Sequence, residues 1–329
     1  MNVTVEKLPK LGERRVVHIL NPASGKPGYF DAARRKVEEA GGEMLVSEKC
    51  GGITELVENL LREDPYAHVV VYGGDGTVNE GVNGVMRSGA AETAVFSVVP
   101  MGSGNDFSAY ANDTDELSKT EPVKIDLIKT TINGEVRYFA NLANVGFDCD
   151  VVWETYTLKK NPLFRGKMAY IAGVVKVLFK KKTIDAKLTL TDCVDIDSGA
   201  PVADVKLEQE VLLAAFANSK FYGGGFKAAP LASVQDGLMD IITINDITRL
   251  KFISLVGNYK AGDYIDGRGK LKDNFKDIVT YNRCKNAVLT GVERICLDGE
   301  IIPTGEDKTV QFEVVPGAIR FASVQKYTE

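Results

Sequence analysis

The chain is 329 residues long, which at roughly 100–200 residues per domain suggests two domains rather than one small module. Hydrophobic residues at 44% and charged residues at 26% exclude a disordered or collagen-like chain. Forty Lys and Arg against forty-five Asp and Glu leave a net charge of −5. That balance excludes the overall basic field of a nucleic-acid binder and confines any cationic surface to one region.

No apolar run reaches the roughly 18–20 residues of a spanning helix, and residues 1–12 lack the apolar stretch of a signal peptide, so a cytoplasmic protein is expected. The five cysteines, Cys50, Cys149, Cys193, Cys284 and Cys296, include no Cys-x-x-Cys pair. They read as reduced, buried small hydrophobes. The only two histidines, His18 and His68, sit in or beside apolar runs and read as packing residues of strands.

Along the first hundred residues strand and helix signals alternate: strands at 15–20, 44–47, 69–72 and 94–99, helices at 30–40, 54–62, from 77 and at 105–110, with Thr54 as an N-cap. This alternation predicts a doubly wound α/β domain over residues 1–122, whose ligands bind at the carboxyl ends of parallel strands. After residue 122 the pattern changes to alternating strands at 124–131, 135–143, 186–191, 206–217, 238–244, 287–297 and 309–315. Asn133-Gly134 supplies the first hairpin turn, and helices interrupt at 163–181 and 248–259. An antiparallel β-sandwich over 123–316 is predicted, with 317–329 as a C-terminal segment whose strand at 318–323 is left open to return to the first domain.

Three Gly-rich loops follow strands of the first half. Gly73-Gly74-Asp75-Gly76-Thr77 opens a helix, where glycine backbone and free amides suit a phosphate. A carboxylate in such a loop needs a metal, a hydroxyl or loop amides to offset its charge, although Asp75 also reads as a cap in a plain strand-to-helix turn. Asn21-Pro22-Ala23-Ser24-Gly25 and Gly102-Ser103-Gly104-Asn105-Asp106 fall at the same edge of the sheet and add hydroxyls. Neither a Walker A loop nor a dinucleotide-binding Gly-x-Gly-x-x-Gly with its ribose-binding acid is present.

These loops resemble the catalytic domain of the soluble diacylglycerol kinase family, which includes sphingosine, ceramide and bacterial lipid kinases. The carrying motifs are Asn-Pro-x-Ser-Gly, Gly-Gly-Asp-Gly-Thr-x-Asn-Glu and Gly-Ser-Gly-Asn-Asp-Phe. Tyr222-Gly223-Gly224-Gly225-Phe226, Ala229-Pro230, Ser233 to Asp240 and Leu297-Asp298-Gly299-Glu300 continue the resemblance in order. It implies an ATP-dependent lipid kinase with its active site between an α/β nucleotide domain and a β-sandwich lipid domain. The implied ATP-binding residues are Asn21, Pro22, Ala23, Ser24, Gly25, Ser47, Gly74, Asp75, Gly76, Thr77, Val78, Asn79, Glu80 and Ser103. Ser47 and Ser103 stand where many relatives carry Thr. A structural Mg²⁺ is implied at Ser233, Asp236 and the carbonyl of Leu238, a segment that by itself reads as an Asp-Gly turn entering a strand.

The resemblance implies Glu300 as the proton acceptor. By itself Asp298-Gly299-Glu300 reads as a hairpin turn with two solvated acids. Phosphoryl transfer needs in-line positioning, Mg²⁺ to neutralise charge and a carboxylate to take the hydroxyl proton. Glu300 is assigned as base, Asp298 as its partner and Asp75 to the Mg·ATP side, with Asp75 as the alternative base.

Residues 153–182 carry Lys159, Lys160, Arg165, Lys167, Lys176, Lys180, Lys181 and Lys182 against the single acid Glu154, together with the only Trp, Trp153. Phe164, Tyr170, Val174, Val175, Leu178 and Phe179 lie between the charges. The segment suits transient contact with an anionic membrane surface at the inner face of the membrane. It also reads as an amphipathic helix packed on the sandwich with a solvated Lys cluster. The expected partners are ATP and a membrane lipid, with no nucleic acid, and a homodimer is left open. A diacylglycerol-like substrate in phospholipid metabolism is the leading reading. Sphingosine or ceramide, an NAD-kinase-like small-molecule kinase and a silent nucleotide-responsive protein are the alternatives.

Overall fold

The computed structural model describes residues 8–25, 27–49, 51–114, 117, 121–159, 167–180 and 183–323. Two compact units are formed, one by Met1–Leu127 with Pro316–Glu329 and the other by Ile128–Val315.

The first unit alternates β1 (Val16–Leu20), α1 (Tyr29–Glu39), β2 (Glu43–Val46), α2 (Gly52–Glu63), β3 (His68–Gly73), α3 (Asp75–Ser88), β4 (Val95–Pro100) and α4 (Asp106–Asp113). Its strands lie in the order β2-β1-β3-β4, all parallel. The run Val69-Val70-Val71 is buried throughout, as a strand covered on both faces requires. Helix α2 buries Ile53, Val57, Leu60 and Leu61, the stripe of an amphipathic helix. Its start differs from the expectation: Thr54 is not the N-cap, because the helix begins at Gly52 after Gly51. Glu80 of α3 instead accepts the Ile53 N–H at 3.0 Å, while the Thr54 hydroxyl donates to the Glu80 carbonyl at 3.0 Å.

Both histidines are buried in strands, as expected. Ser97 Oγ donates to the Ala322 carbonyl at 2.6 Å, so it accepts from His68 Nε2 at 2.7 Å. Burial pushes His68 down to about 4 and keeps it neutral. Cys149, Cys193, Cys284 and Cys296 are free and buried, while Cys50 lies outside the described residues.

The second unit contains β5 (Val123–Ile132, from Ile128 onward), β6 (Glu135–Phe139), β7 (Leu142–Gly146), α5 (Phe147–Lys159), α6 (Lys167–Lys180), β8 (Ile184–Thr191), β9 (Val205–Ala217), β10 (Met239–Asn245), α7 (Arg249–Ala261), β11 (Val279–Cys284), β12 (Asn286–Thr290), β13 (Arg294–Leu297), β14 (Glu300–Pro303) and β15 (Thr309–Phe321). Asn133 and Gly134 take φ of 52° and 77°, the positive values of a two-residue hairpin turn. The strand expected at 287–297 is two strands, interrupted at Gly291 with φ 93°.

Strand β9 makes the sandwich. Residues 205–211 pair with β8, whereas residues 213–217 pair with β7 on one side and residues 211–217 with β10 on the other. The strand therefore passes from one sheet to the other. Leu188, Leu190, Leu289, Val310 and Phe312 meet Phe216, Met239, Ile241, Ile295 and Leu297 in the core between the sheets. The outer face of the β7-β9-β10 sheet is covered by α5, α6 and α7 through Leu213, Ala215, Ile242, Val151, Val177 and Tyr259.

Helix α5 has no counterpart among the expected elements. Phe147–Lys159 is rich in β-branched and aromatic residues and lacks a clear apolar stripe, so its helical state is decided by packing rather than propensity. The last residues of β15 run parallel to β4, pairing Arg320 with Val95 and Phe321 with Phe96. The end of this strand thus belongs to the first unit.

Candidate active site

The three Gly-rich loops meet at the carboxyl ends of β1, β3 and β4. Asn21 Nδ2 donates to Thr77 Oγ1 at 3.0 Å, and Ser24 Oγ shares a hydrogen bond with the same hydroxyl at 3.2 Å. A Cβ on Gly74 would stand 2.8 Å from the Gly102 Cα, so only glycine lets the β3–α3 and β4–α4 loops touch backbone to backbone. Asn105, in the left-handed region at φ 57°, accepts from the Gly102 N–H at 2.7 Å and donates to its carbonyl at 2.9 Å. Pro22, Ala23, Gly25, Gly76 and Ser103 form the exposed rim.

Asp75 leaves this rim and turns to the next helix. Its carboxylate accepts the Phe107 N–H at 3.3 Å. Burial raises its pKa, and the amides of Phe107, Asp106 and Asn105 oppose the rise. The start of α4 is thereby satisfied by a side chain of α3.

Ser47 and Glu80 gather elsewhere, at the start of α2. The Ser47 hydroxyl is buried and donates to the Lys49 carbonyl at 2.8 Å. Thr77 and Val78 are buried in α3, and the Asn79 carbonyl accepts from Asn83 Nδ2 at 2.8 Å.

In the second unit Leu297 pairs with Glu300, and the two residues between them, Asp298 at φ 45° and Gly299 at φ 90°, make the β13–β14 turn. Asp298 is buried, unlike the solvated acid of a plain hairpin. It accepts the Leu142 N–H at 2.9 Å and the Ala140 N–H at 3.3 Å, and its own N–H donates to the Leu142 carbonyl at 3.0 Å. Glu300 is exposed, with Arg137 Nη1 at 3.6 Å. Tyr156 of α5 donates to the Gly299 carbonyl at 3.4 Å. Sequence reasoning did not single out Arg137 or Tyr156; their roles depend on partners far away in the chain.

Asp236 Oδ1 accepts the Leu238 N–H at 3.0 Å, and Ser233 Oγ accepts the Gln235 N–H at 3.2 Å. The other Asp236 oxygen is ion-paired with the Arg283 guanidinium, which also lies 3.2 Å from the buried Asp240. No group of three His, Cys, Asp or Glu side chains suited to a metal occurs among the described residues. Ser233, Asp236 and Leu238, the set the resemblance implies for Mg²⁺, thus lie on one turn, with the Asp236 carboxylate engaged by the Arg283 guanidinium and the Leu238 amide. Tyr281 donates to Asp240 at 2.6 Å, yet burial still lifts Asp240 to about 6. Arg283→Gln should cost about 3–5 kcal/mol by leaving a buried carboxylate unpaired. Calorimetry of the wild type and the variant checks this, and an unchanged melting temperature in Arg283→Gln would sink the account.

Of the cationic segment, Lys160, Arg165, Lys181 and Lys182, with Phe164, lie outside the described residues, as do the side chains of Lys159, Lys167 and Tyr170. Lys176 and Lys180 both pair with Glu154, at 2.6 and 2.9 Å, which offsets part of the charge expected there. Trp153 is 48% exposed, with the Arg294 guanidinium 5.2 Å over its ring. No helix among the described residues is long and apolar enough to cross a membrane.

Residues 15–140 match the family described as diacylglycerol kinase catalytic domain, and residues 142–323 match the YegS C-terminal NAD kinase beta sandwich-like domain. A Shewanella frigidimarina protein named probable lipid kinase YegS-like is 29% identical over 78% of this chain and 77% of its own length. A Staphylococcus epidermidis diacylglycerol kinase is 30% identical over 70% of each chain. The crystal structure of a diacylglycerol kinase from Bacillus anthracis shares the fold, with TM-score 0.60 at 20% identity over 94% of this chain and 96% of that one. With both halves of the chain matched in order, it is a phosphotransferase of the diacylglycerol kinase catalytic-domain family.

Proposed function

We propose that the protein transfers the γ-phosphate of Mg·ATP to the primary hydroxyl of a diacylglycerol-like membrane lipid. The observation that carries this reading is the meeting of three Gly-rich loops at the carboxyl ends of β1, β3 and β4. With the start of α4 taken by Asp75, the start of α3 at Gly74 to Thr77 receives the phosphates, its amides and the positive end of its dipole offsetting their charge. Asn21, Ser24 and Ser103 add polar groups around them. Ser47 and Glu80 support this surface by holding the start of α2. The Mg²⁺ of the substrate complex supplies charge neutralisation on the transferring phosphoryl group.

Glu300 accepts the proton of the lipid hydroxyl as that oxygen attacks phosphorus. Its exposure leaves it reachable, and the Arg137 guanidinium lies 3.6 Å from its carboxylate. Asp298 acts as a positioning residue that fixes the turn carrying Glu300. Asp75 orients the nucleotide loops from the first unit.

Incubation of the protein with γ-labelled ATP and separate mixed micelles of diacylglycerol, ceramide and sphingosine, with free NAD alongside, tests the reading. Label in phosphatidic acid is the expected result. The second domain's likeness to an NAD kinase sandwich keeps one rival alive, and label transferred to NAD but to no lipid would overturn the proposal.

A further inference from the structure

The start of α7 carries an apolar surface that the core does not use. Phe252, Leu255 and Tyr259 of this helix pack inward, with the Phe252 ring 4.8 Å from Phe147. Leu250 and Ile253, three residues apart and therefore neighbours on one helix face, are 81% and 55% exposed. Arg249 joins this turn to the end of α6: its Nε donates to the Leu178 carbonyl at 2.9 Å and its Nη2 to the Phe179 carbonyl at 2.7 Å. Those two bonds satisfy carbonyls that a helix end leaves without an intrahelical partner. They also bring the turn beside Phe179, which is 74% exposed.

We propose that Phe179, Leu250 and Ile253 form the element that inserts into an anionic bilayer. The charge around them selects the occupant. No acidic residue lies in the first turn of α7. Among the described residues neither Arg249 nor Lys251 is within ion-pair distance of a carboxylate. A second copy docked tip to tip would oppose these cations to themselves, whereas anionic headgroups neutralise them while the three apolar side chains enter the acyl boundary. The thermodynamic sense is that of a small wedge assisted by basic residues, distinct from the lysines committed to Glu154.

This inference rests on a membrane-borne substrate, and its test separates the two claims. Wild-type protein should cosediment with vesicles of phosphatidylglycerol and phosphatidylcholine but at least tenfold less with phosphatidylcholine alone. The triple variant Phe179→Ser, Leu250→Ser, Ile253→Ser should lose at least tenfold of the binding to anionic vesicles while keeping its kinase activity in detergent mixed micelles. An environment-sensitive fluorophore on Ile253→Cys should shift to the blue when anionic vesicles are added. Wild-type vesicle binding by the triple variant, or a fluorophore that stays in water on bound protein, overturns the insertion element. So does loss of a wild-type dimer in the variant by sedimentation velocity, which would assign the patch to a second copy. Absence of lipid phosphorylation in micelles by the wild type would instead count against the kinase reading.

Discussion

Glu300→Gln is expected to lower kcat for lipid phosphorylation by about 10²–10⁴-fold, the range for removal of a positioned general base, with little change in the melting temperature. The amide preserves the shape of the side chain, and Glu300 is exposed at the start of β14 with one cation at 3.6 Å, so folding has little to lose. Asp298→Ala should behave in the opposite way. It removes an acceptor from the N–H groups of Ala140 and Leu142, and each buried donor left unpaired costs about 1–3 kcal/mol. Asp298→Asn, which keeps one acceptor oxygen, should recover part of that stability. Steady-state kinetics and thermal melts on the three variants separate a proton acceptor from a turn lock. A folded Glu300→Gln protein with wild-type turnover would exclude Glu300 as base and leave Asp75 as the candidate, to be examined by Asp75→Asn.

Gly74→Ala should be nearly as damaging, by a different route. The added methyl meets the backbone of Gly102 at 2.8 Å, and a main-chain atom cannot swing aside as a flexible side chain can. The β3–α3 and β4–α4 loops must separate by several tenths of an ångström. Displacement of this kind at a reacting centre can cost on the order of 10²-fold in rate, and overpacking typically costs about 1–3 kcal/mol. The expected result is a raised KM for ATP together with a lower kcat, measured at saturating lipid in mixed micelles. Gly76→Ala is the control: its Cβ would meet nothing within 4 Å, so it should leave the melting temperature near that of the wild type. Unchanged ATP kinetics in Gly74→Ala would show that the close approach of the loops does not serve the nucleotide.

Local signals in the sequence were sufficient for the order of elements in the first unit. Valine runs mark β3, the Ile53/Val57/Leu60/Leu61 stripe marks α2, and glycine clusters mark the turns, because each depends on side-chain period or on the conformational freedom of one residue. Asn133-Gly134 marked its hairpin for the same reason. Helix α5 escaped this reading: its residues favour strands individually, and its helical state follows from packing on the outer face of the sheet. The length of β9 was visible, but its passage between two sheets is written only in which partners it finds.

The candidate site divides along the same line. Motif order by itself determined the family and the positions of Asp75, Asp236, Asp298 and Glu300, since a short motif is local in the chain. Tertiary structure decided what each carboxylate meets. Asp75 reaches the amides of α4, Asp236 faces Arg283, Asp298 locks the backbone at residues 140 and 142, and Glu300 remains exposed beside Arg137. Apart from Asp75 and Asp236, which are 32 and 47 residues from their partners, these pairings join residues more than 150 positions apart. A carboxylate's role as base, cap or ion-pair partner is set by its desolvation and the donors around it, and those are properties of the folded chain alone.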